Sequence, residues 1–209
     1  MKRITLREVS VSYDTVHEQL RMVEQFLNEE ALHTIGTITS RLLTCARNDE
    51  IVRKMTEAYD IAVLGEGKLL RGSGIDSAQR IREIRSFDFY EEVLMLLSRR
   101  KSTIFLLSDT VERLSAFKSC LGEMHEKMTI LGDAALTEHI DDADGIVNEI
   151  NAAMPDIVLS VISSPEQEYF LFSHRHMIGA RLWYSIGDFE KLHKKIGKSS
   201  SFFKRFVVD

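Results

Sequence analysis

Residues 65–68 read Gly65, Glu66, Gly67 and Lys68, a carboxylate held between two glycines and followed by a lysine. Glu66 sits where a catalytic carboxylate would reach a cleft, and the string also fits a strand-to-loop turn that tolerates glycine. A phosphate loop is excluded, because that motif needs four residues between its glycines and a Ser or Thr after the lysine. A dinucleotide fingerprint needs a third glycine that this string lacks. The second informative string runs from Ser163 to Glu168 (Ser-Ser-Pro-Glu-Gln-Glu). It fits a helix start, with Ser164 as N-cap, Pro165 first in the helix and Gln167 as capping-box partner. Glu166 and Glu168 would favour the positive end of that helix dipole. The same geometry, a helix N-terminus at the end of a strand, also binds phosphate, although the spacing favours the cap. His174 and His176 lie two apart and would point to different faces of a helix, so no metal site is expected. No nucleophile-elbow sequence is present.

Short β-branched runs alternate with longer helical stretches along the chain. Strands are predicted over 34–39, 61–64, 103–107, 128–131, 156–162 and 181–186. Between them Val16, Leu20, Val23 and Leu27 step along one helical face, as do Val111, Leu114, Phe117 and Leu121, and then Ile146, Ile150 and Ala153. This alternation predicts an α/β fold, a Rossmann-like, mostly parallel sheet with helices on both faces. Ligands bind such sheets beyond the carboxyl ends of the strands. That rule selects residues 39–41, 65–68, 108–110, 163–167 and 187–190.

The chain has 209 residues, 44% apolar and 28% charged, with a net charge of −5. That balance fits one globular domain over 1–190 and gives no bulk attraction to nucleic acid. No apolar run reaches the roughly 18 residues of a membrane span, and none follows the basic start as a secretory signal would. Cys45 and Cys120 form no CxxC pair and are read as reduced, buried thiols of a cytoplasmic protein. Glycines between 65 and 74 suggest a loop. Residues 191–209 carry six basic residues, Lys191, Lys194, Lys195, Lys198, Lys204 and Arg205, with Phe202, Phe203 and Phe206 among them. Such a tail is either solvated or a contact for an anionic membrane surface.

Several strings in order resemble the WecG/TagA/CpsF family of bacterial glycosyltransferases. They are Phe87 to Leu94 (Phe-Asp-Phe-Tyr-Glu-Glu-Val-Leu), Ser102 to Leu107, Met154 to Leu159 (Met-Pro-Asp-Ile-Val-Leu) and Ser164 to Glu168. Thr37 to Thr39, Ala58 to Val63 and Ile186 to Glu190 fall where that family has counterparts. The resemblance covers about residues 9–195. It implies transfer of an N-acetylhexosamine, of the N-acetylmannosamine type, from a UDP-sugar to a polyprenyl-diphosphate-linked sugar in cell-surface polysaccharide synthesis. The implied reaction is inverting and uses no metal or cofactor, with UDP-N-acetylhexosamine as donor. A carboxylate near the end of the second major strand is the implied base, a role that falls to Glu66. The implied substrate contacts are Thr37, Thr39, Gly67, Asp88, Ser108, Gln167, Glu168, Gly187 and Glu190. The tail would meet the inner face of the membrane, and a homo-oligomer is left open.

The chain departs from the family pattern at several of these places. Thr39 stands for an asparagine, Glu83 for an arginine, Ser108 and Asp109 for glycines, and Ser163 for a glycine. The family's Asp-Gly aligns either with Gly65, counting without a gap from Thr37, or with Glu66 and Gly67 after a shift of one. Two functional classes follow: a working transferase with altered donor or acceptor, and a catalytically degenerate relative that binds a nucleotide-sugar or a protein partner.

Overall fold

The computed structural model describes residues 2–70, 77–124, 128–139, 142–187 and 189. Expectations about Glu190, the tail 191–209 and the far part of the 65–74 loop lie outside them. Six strands form one parallel sheet: β3 (His33–Ile38), β4 (Ile61–Leu64), β5 (Thr103–Ser108), β6 (Thr129–Ala135), β7 (Ile157–Ser160) and β8 (Leu182–Ser185). Their spatial order is β4-β3-β8-β7-β5-β6, with every pairing parallel. The expected α/β, Rossmann-like architecture is therefore present. An antiparallel hairpin, β1 (Arg3–Leu6) and β2 (Val9–Ser12), precedes it and was not expected.

Alternating side chains of the strands build two cores. Phe105, Leu107, Val158 and Trp183 face the hairpin, α2 (Ser40–Asn48), α3 (Glu50–Ala58), α7 (Ala143–Ala153) and α8 (Glu166–His174). Ile104, Leu106, Leu159 and Tyr184 face α1 (Val16–Phe26), α5 (Asp88–Arg100) and α6 (Val111–Met124). Burial on both faces is why the strands read as apolar runs rather than alternating ones. Each expected helical stripe packs against the sheet, except that Val111, at the first turn of α6, is 43% exposed.

Side chains fix where elements begin. Thr15 and Glu18 form a reciprocal capping box at α1. The hydroxyl of Thr39 accepts from the Leu42 amide and starts α2. Asp49 ends α2 and caps α3 through the Val52 amide. At the amino edge of the sheet, Asp60 accepts from the amide and hydroxyl of Thr34 at 2.8 and 3.0 Å. Asp156 does the same for Thr103 at the same distances. Two aspartates, each just ahead of a strand, thus fix the starts of β3 and β5. The Pro-Asp string is explained by this pairing at the edge away from the expected ligand side.

The crossovers leaving β3, β6 and β7 run over the hairpin face, and those leaving β4 and β5 over the other. The connections from neighbouring β5 and β7 therefore diverge, which opens a crevice between their carboxyl ends. A short 3₁₀ turn, Gly67–Leu70, follows β4, and α4 (Ala78–Ser86) packs on it and on α5.

Candidate functional site

Strand β3 pairs with β4 so that Thr37 lies level with Val63 and Ile38 with Leu64. The ladder continues one rung, with the Gly65 amide donating to the Ile38 carbonyl at 2.9 Å. Beyond these ends lies a cavity lined by Thr37, Thr39, Gly65 and Glu66, with Tyr184 and Ile186 from the end of β8. Gln19 of α1, Arg80 and Glu83 of α4, and Phe87, Phe89 and Tyr90 around the start of α5 also line it, with apolar residues between them. A mostly apolar, aromatic wall with a few polar groups is the usual make-up of a small-molecule site.

Glu66 is the carboxylate at the β4 end of this cavity. Its Oε2 accepts from the Ser40 hydroxyl, in the first turn of α2, and lies 3.0 Å from Lys68 Nζ. Partial burial pushes its pKa up, but the Ser40 hydroxyl and the Lys68 ammonium outweigh that and hold it below the usual glutamate value. Glu66 is therefore ionised at neutral pH and able to accept a proton.

Gly65 is placed differently. A Cβ built on it would come 2.9 Å from Thr37 Cγ2 and 3.4 Å from Thr39 Cγ2. Position 65 thus faces the two threonines, and a side chain there would displace Thr37. The Thr37 hydroxyl is buried without a well-formed hydrogen bond, with the Tyr184 phenol beside it. The Thr39 hydroxyl is engaged in capping α2. Gly67 lies in the turn after the cavity, with Ile81 of α4 the nearest side chain to a Cβ built there, at 3.6 Å. Asp88 opens α5 between two cavity-lining phenylalanines and is not itself among the lining residues.

Ser108 and Gly187 belong to a second cluster, at the diverging ends of β5 and β7. The Ser108 hydroxyl donates to Asp109 Oδ1 at 3.2 Å. Asp109 Oδ2 accepts from the Ser163 hydroxyl at 2.7 Å and from Arg113 Nη1 at 3.0 Å. Arg113 also donates to the Ser163 hydroxyl at 2.6 Å and to the Gly187 carbonyl at 3.0 Å. Burial raises the Asp109 pKa, but the Ser163 hydroxyl and Arg113 more than offset it and keep the group ionised. One guanidinium therefore ties together the loops after β5, β7 and β8. Gly187 turns there with φ +78°, a conformation that favours glycine. Sequence reasoning missed Arg113; its four-residue spacing from Asp109 was the available signal, but its other partners are 50 and 74 residues away.

Gln167 and Glu168 form a third cluster, behind the sheet end on the hairpin face. The expected capping box does not form there. Helix α8 begins at Glu166 with Pro165 before it, and no side chain caps it. Gln167 turns inward instead, accepting from the Ser160 hydroxyl at 2.6 Å, while its Nε2 is buried without a partner. Glu168 is 1% exposed and accepts from the Tyr59 hydroxyl at 3.0 Å. That hydroxyl is 3.2 Å from Ser185 Oγ, to which Trp183 Nε1 donates. Burial pushes the Glu168 carboxyl up to about 7, against the lowering effect of its hydrogen bonds.

The parallel sheet thus carries Thr37, Glu66, Ser108 and Gln167 along one edge, but in three separate environments. Of the expected contacts among the described residues, Thr37, Thr39 and Glu66 line the cavity. His174 Nδ1 contacts the Phe170 carbonyl, and His176 is exposed. Among the described residues, no group of three or more His, Cys, Asp and Glu gathers as a metal would require. Cys120 is buried as expected, whereas Cys45 is only half-buried because it lies near the surface of α2. No helix among the described residues is long and apolar enough to cross a membrane.

Residues 4–193 match the profile of the glycosyl transferase WecG/TagA/CpsF family. The chain is also 22% identical over 193 residues to the N-acetylglucosaminyldiphosphoundecaprenol N-acetyl-beta-D-mannosaminyltransferase of Bacillus subtilis (strain 168). That alignment spans 89% of this chain and 72% of the relative.

Proposed function

Since the chain belongs to the WecG/TagA/CpsF family of glycosyl transferases, we propose that it transfers an N-acetylhexosamine, of the N-acetylmannosamine type, from a UDP-sugar to a polyprenyl-diphosphate-linked sugar. The observation that carries this reading is an ionised Glu66 on the wall of the cavity at the ends of β3 and β4, with Thr37 beside it. In the proposed step an acceptor hydroxyl attacks the anomeric carbon from the face opposite UDP. Its proton passes to the Glu66 carboxylate, and the bond to the diphosphate breaks with its electron pair leaving on UDP. The configuration inverts, and no metal takes part. The cavity receives the sugar. The relative's name supports the donor and acceptor classes. Work on a lipid-linked acceptor would bring the protein to the inner face of the membrane, with the basic, phenylalanine-containing tail as its contact.

The test is a transfer assay with UDP-N-acetylmannosamine and a short lipid-linked N-acetylglucosamine acceptor. Glu66→Gln keeps the side-chain volume and the Ser40 contact but removes the proton acceptor. It should lower turnover by roughly 10²–10⁴-fold while donor binding stays unchanged. Equal turnover in both proteins would remove Glu66 from the chemistry. Gly65 favours a second reading, a relative that binds nucleotide-sugar without turning it over, because the position facing Thr37 and Thr39 has no side chain. Donor that raises the melting temperature of a protein with no turnover would support that reading.

A further inference from the structure

Among the described residues that line the cavity, Arg80 is the one cation, and Glu66 and Glu83 are the carboxylates. Arg80 is already engaged within the wall. Its Nη1 donates to Glu83 Oε2 at 2.7 Å, and its Nη2 donates to the Asp14 carbonyl. The guanidinium also lies 4.7 Å from the centroid of the Tyr13 ring. Gln79 holds the other oxygen of Glu83 at 3.2 Å. Both charged side chains are largely buried, 12% and 16% exposed, so the pair is less screened by solvent than a surface one. The Nε–H of Arg80 is buried without an acceptor, which is costly for a polar group.

We propose that Glu83 determines which part of the substrate this cavity accepts. By neutralising Arg80 it admits an uncharged N-acetylhexosamine ring and turns away a phosphate. The proposal rests on the transferase reading above. A phosphate beside Arg80 must either displace Glu83 from a short, charge-assisted pair or sit next to its like charge. An uncharged ring meets neither cost. Its hydroxyls can reach Thr37, and its apolar face suits Phe87 and Phe89.

The experiment titrates inorganic pyrophosphate and UDP-N-acetylglucosamine separately into the wild-type protein, Glu83→Gln, and the double variant Arg80→Gln/Glu83→Gln, by calorimetry. Glu83→Gln should bind pyrophosphate roughly tenfold more tightly than wild type, a modest share of the penalty that a like charge imposes on an anion. The double variant should lose that gain, and UDP-N-acetylglucosamine should bind Glu83→Gln about as well as wild type. Unchanged pyrophosphate affinity in Glu83→Gln, or a gain that survives in the double variant, would overturn the proposal. Glu83→Asp retains the charge and should remain as poor a pyrophosphate binder as wild type; a gain there would count against the proposal too. Because the readout is binding, a wild-type protein without turnover would sink the transfer reading while leaving this result standing, and the reverse also holds.

Discussion

Glu168 shows how much a single buried side chain can weigh on this fold. Its carboxyl is 1% exposed and sits at about 7, against 4.5 for an ordinary glutamate, because burial penalises the charged form. Facing it are the Ser164 hydroxyl and the Tyr59 hydroxyl, with Ser185 behind, and Glu166, two residues earlier on its own helix, adds a repelling charge. Between those two values the native protein binds more protons than the unfolded chain, so stability falls as pH rises through the window. The stabilising effect of the neutral carboxyl is complete below the unfolded value and gone above the folded one. The span corresponds to about 3 kcal/mol at most. Glu168→Gln keeps an acceptor for Tyr59 and has no charge to desolvate. Urea denaturation at about pH 5 should find the two proteins similarly stable, and at about pH 8 the variant should be the more stable. A constant difference across that range would show that Glu168 stays ionised in the fold. Asp109 and Glu66, held below their usual values, act in the opposite direction and only at lower pH.

At the level of elements, Gly36 of β3 makes room for the Tyr59 ring. A Cβ at position 36 would lie 2.3 Å from Tyr59 Cδ2, inside the ring's own contact distance. Gly36→Ala must push the ring away and strip its hydroxyl from Glu168 and Ser185, so it should destabilise by roughly 1–3 kcal/mol. Gly67→Ala, whose Cβ meets nothing nearer than Ile81 at 3.6 Å, should change much less; equal losses in the two would mean that backbone freedom, not crowding, is what Gly36 provides. Elements of this kind divide what a sequence reveals from what it hides. The apolar runs at 103–107 and 156–162 announced β5 and β7, because burial on both faces leaves no polar positions. Strand β6 was cut short in prediction, since Gly132 and Asp133 interrupt its apolar run while still pairing with Phe105 and Leu106. The hairpin escaped notice because its two four-residue strands are too short to carry a pattern. For the site, the edge of the sheet was legible from strand ends alone. The grouping along it was not, because Arg80 meets Asp14 across 66 residues and Arg113 meets Gly187 across 74. Such pairings depend on how helices seat, and no local spacing encodes them.

For the whole molecule, the decisive fact is that β8, the last strand among the described residues, lies in the middle of the sheet, between β3 and β7. On one side stand β3 and β4, on the other β7, β5 and β6, and only β8 joins them. Trp183 and Tyr184 of that strand, among the largest fully buried side chains, go one into each core. A chain stopped after Gly179 should therefore lack a single cooperative unfolding transition, and its β3 amides should exchange hydrogen quickly although every residue that pairs β3 with β4 is present. Protected β3 amides in that shortened protein would show that the first half stands alone. A ribosome makes β3 some 145 residues before it makes β8, an interval that at about 5–20 residues per second lasts many seconds. Throughout that time the inner edge of β3 offers unpaired amides and carbonyls to any strand that comes near. Expression yield should thus depend on how quickly the stretch from β3 to β8 is translated, and on the chaperones at hand while it is.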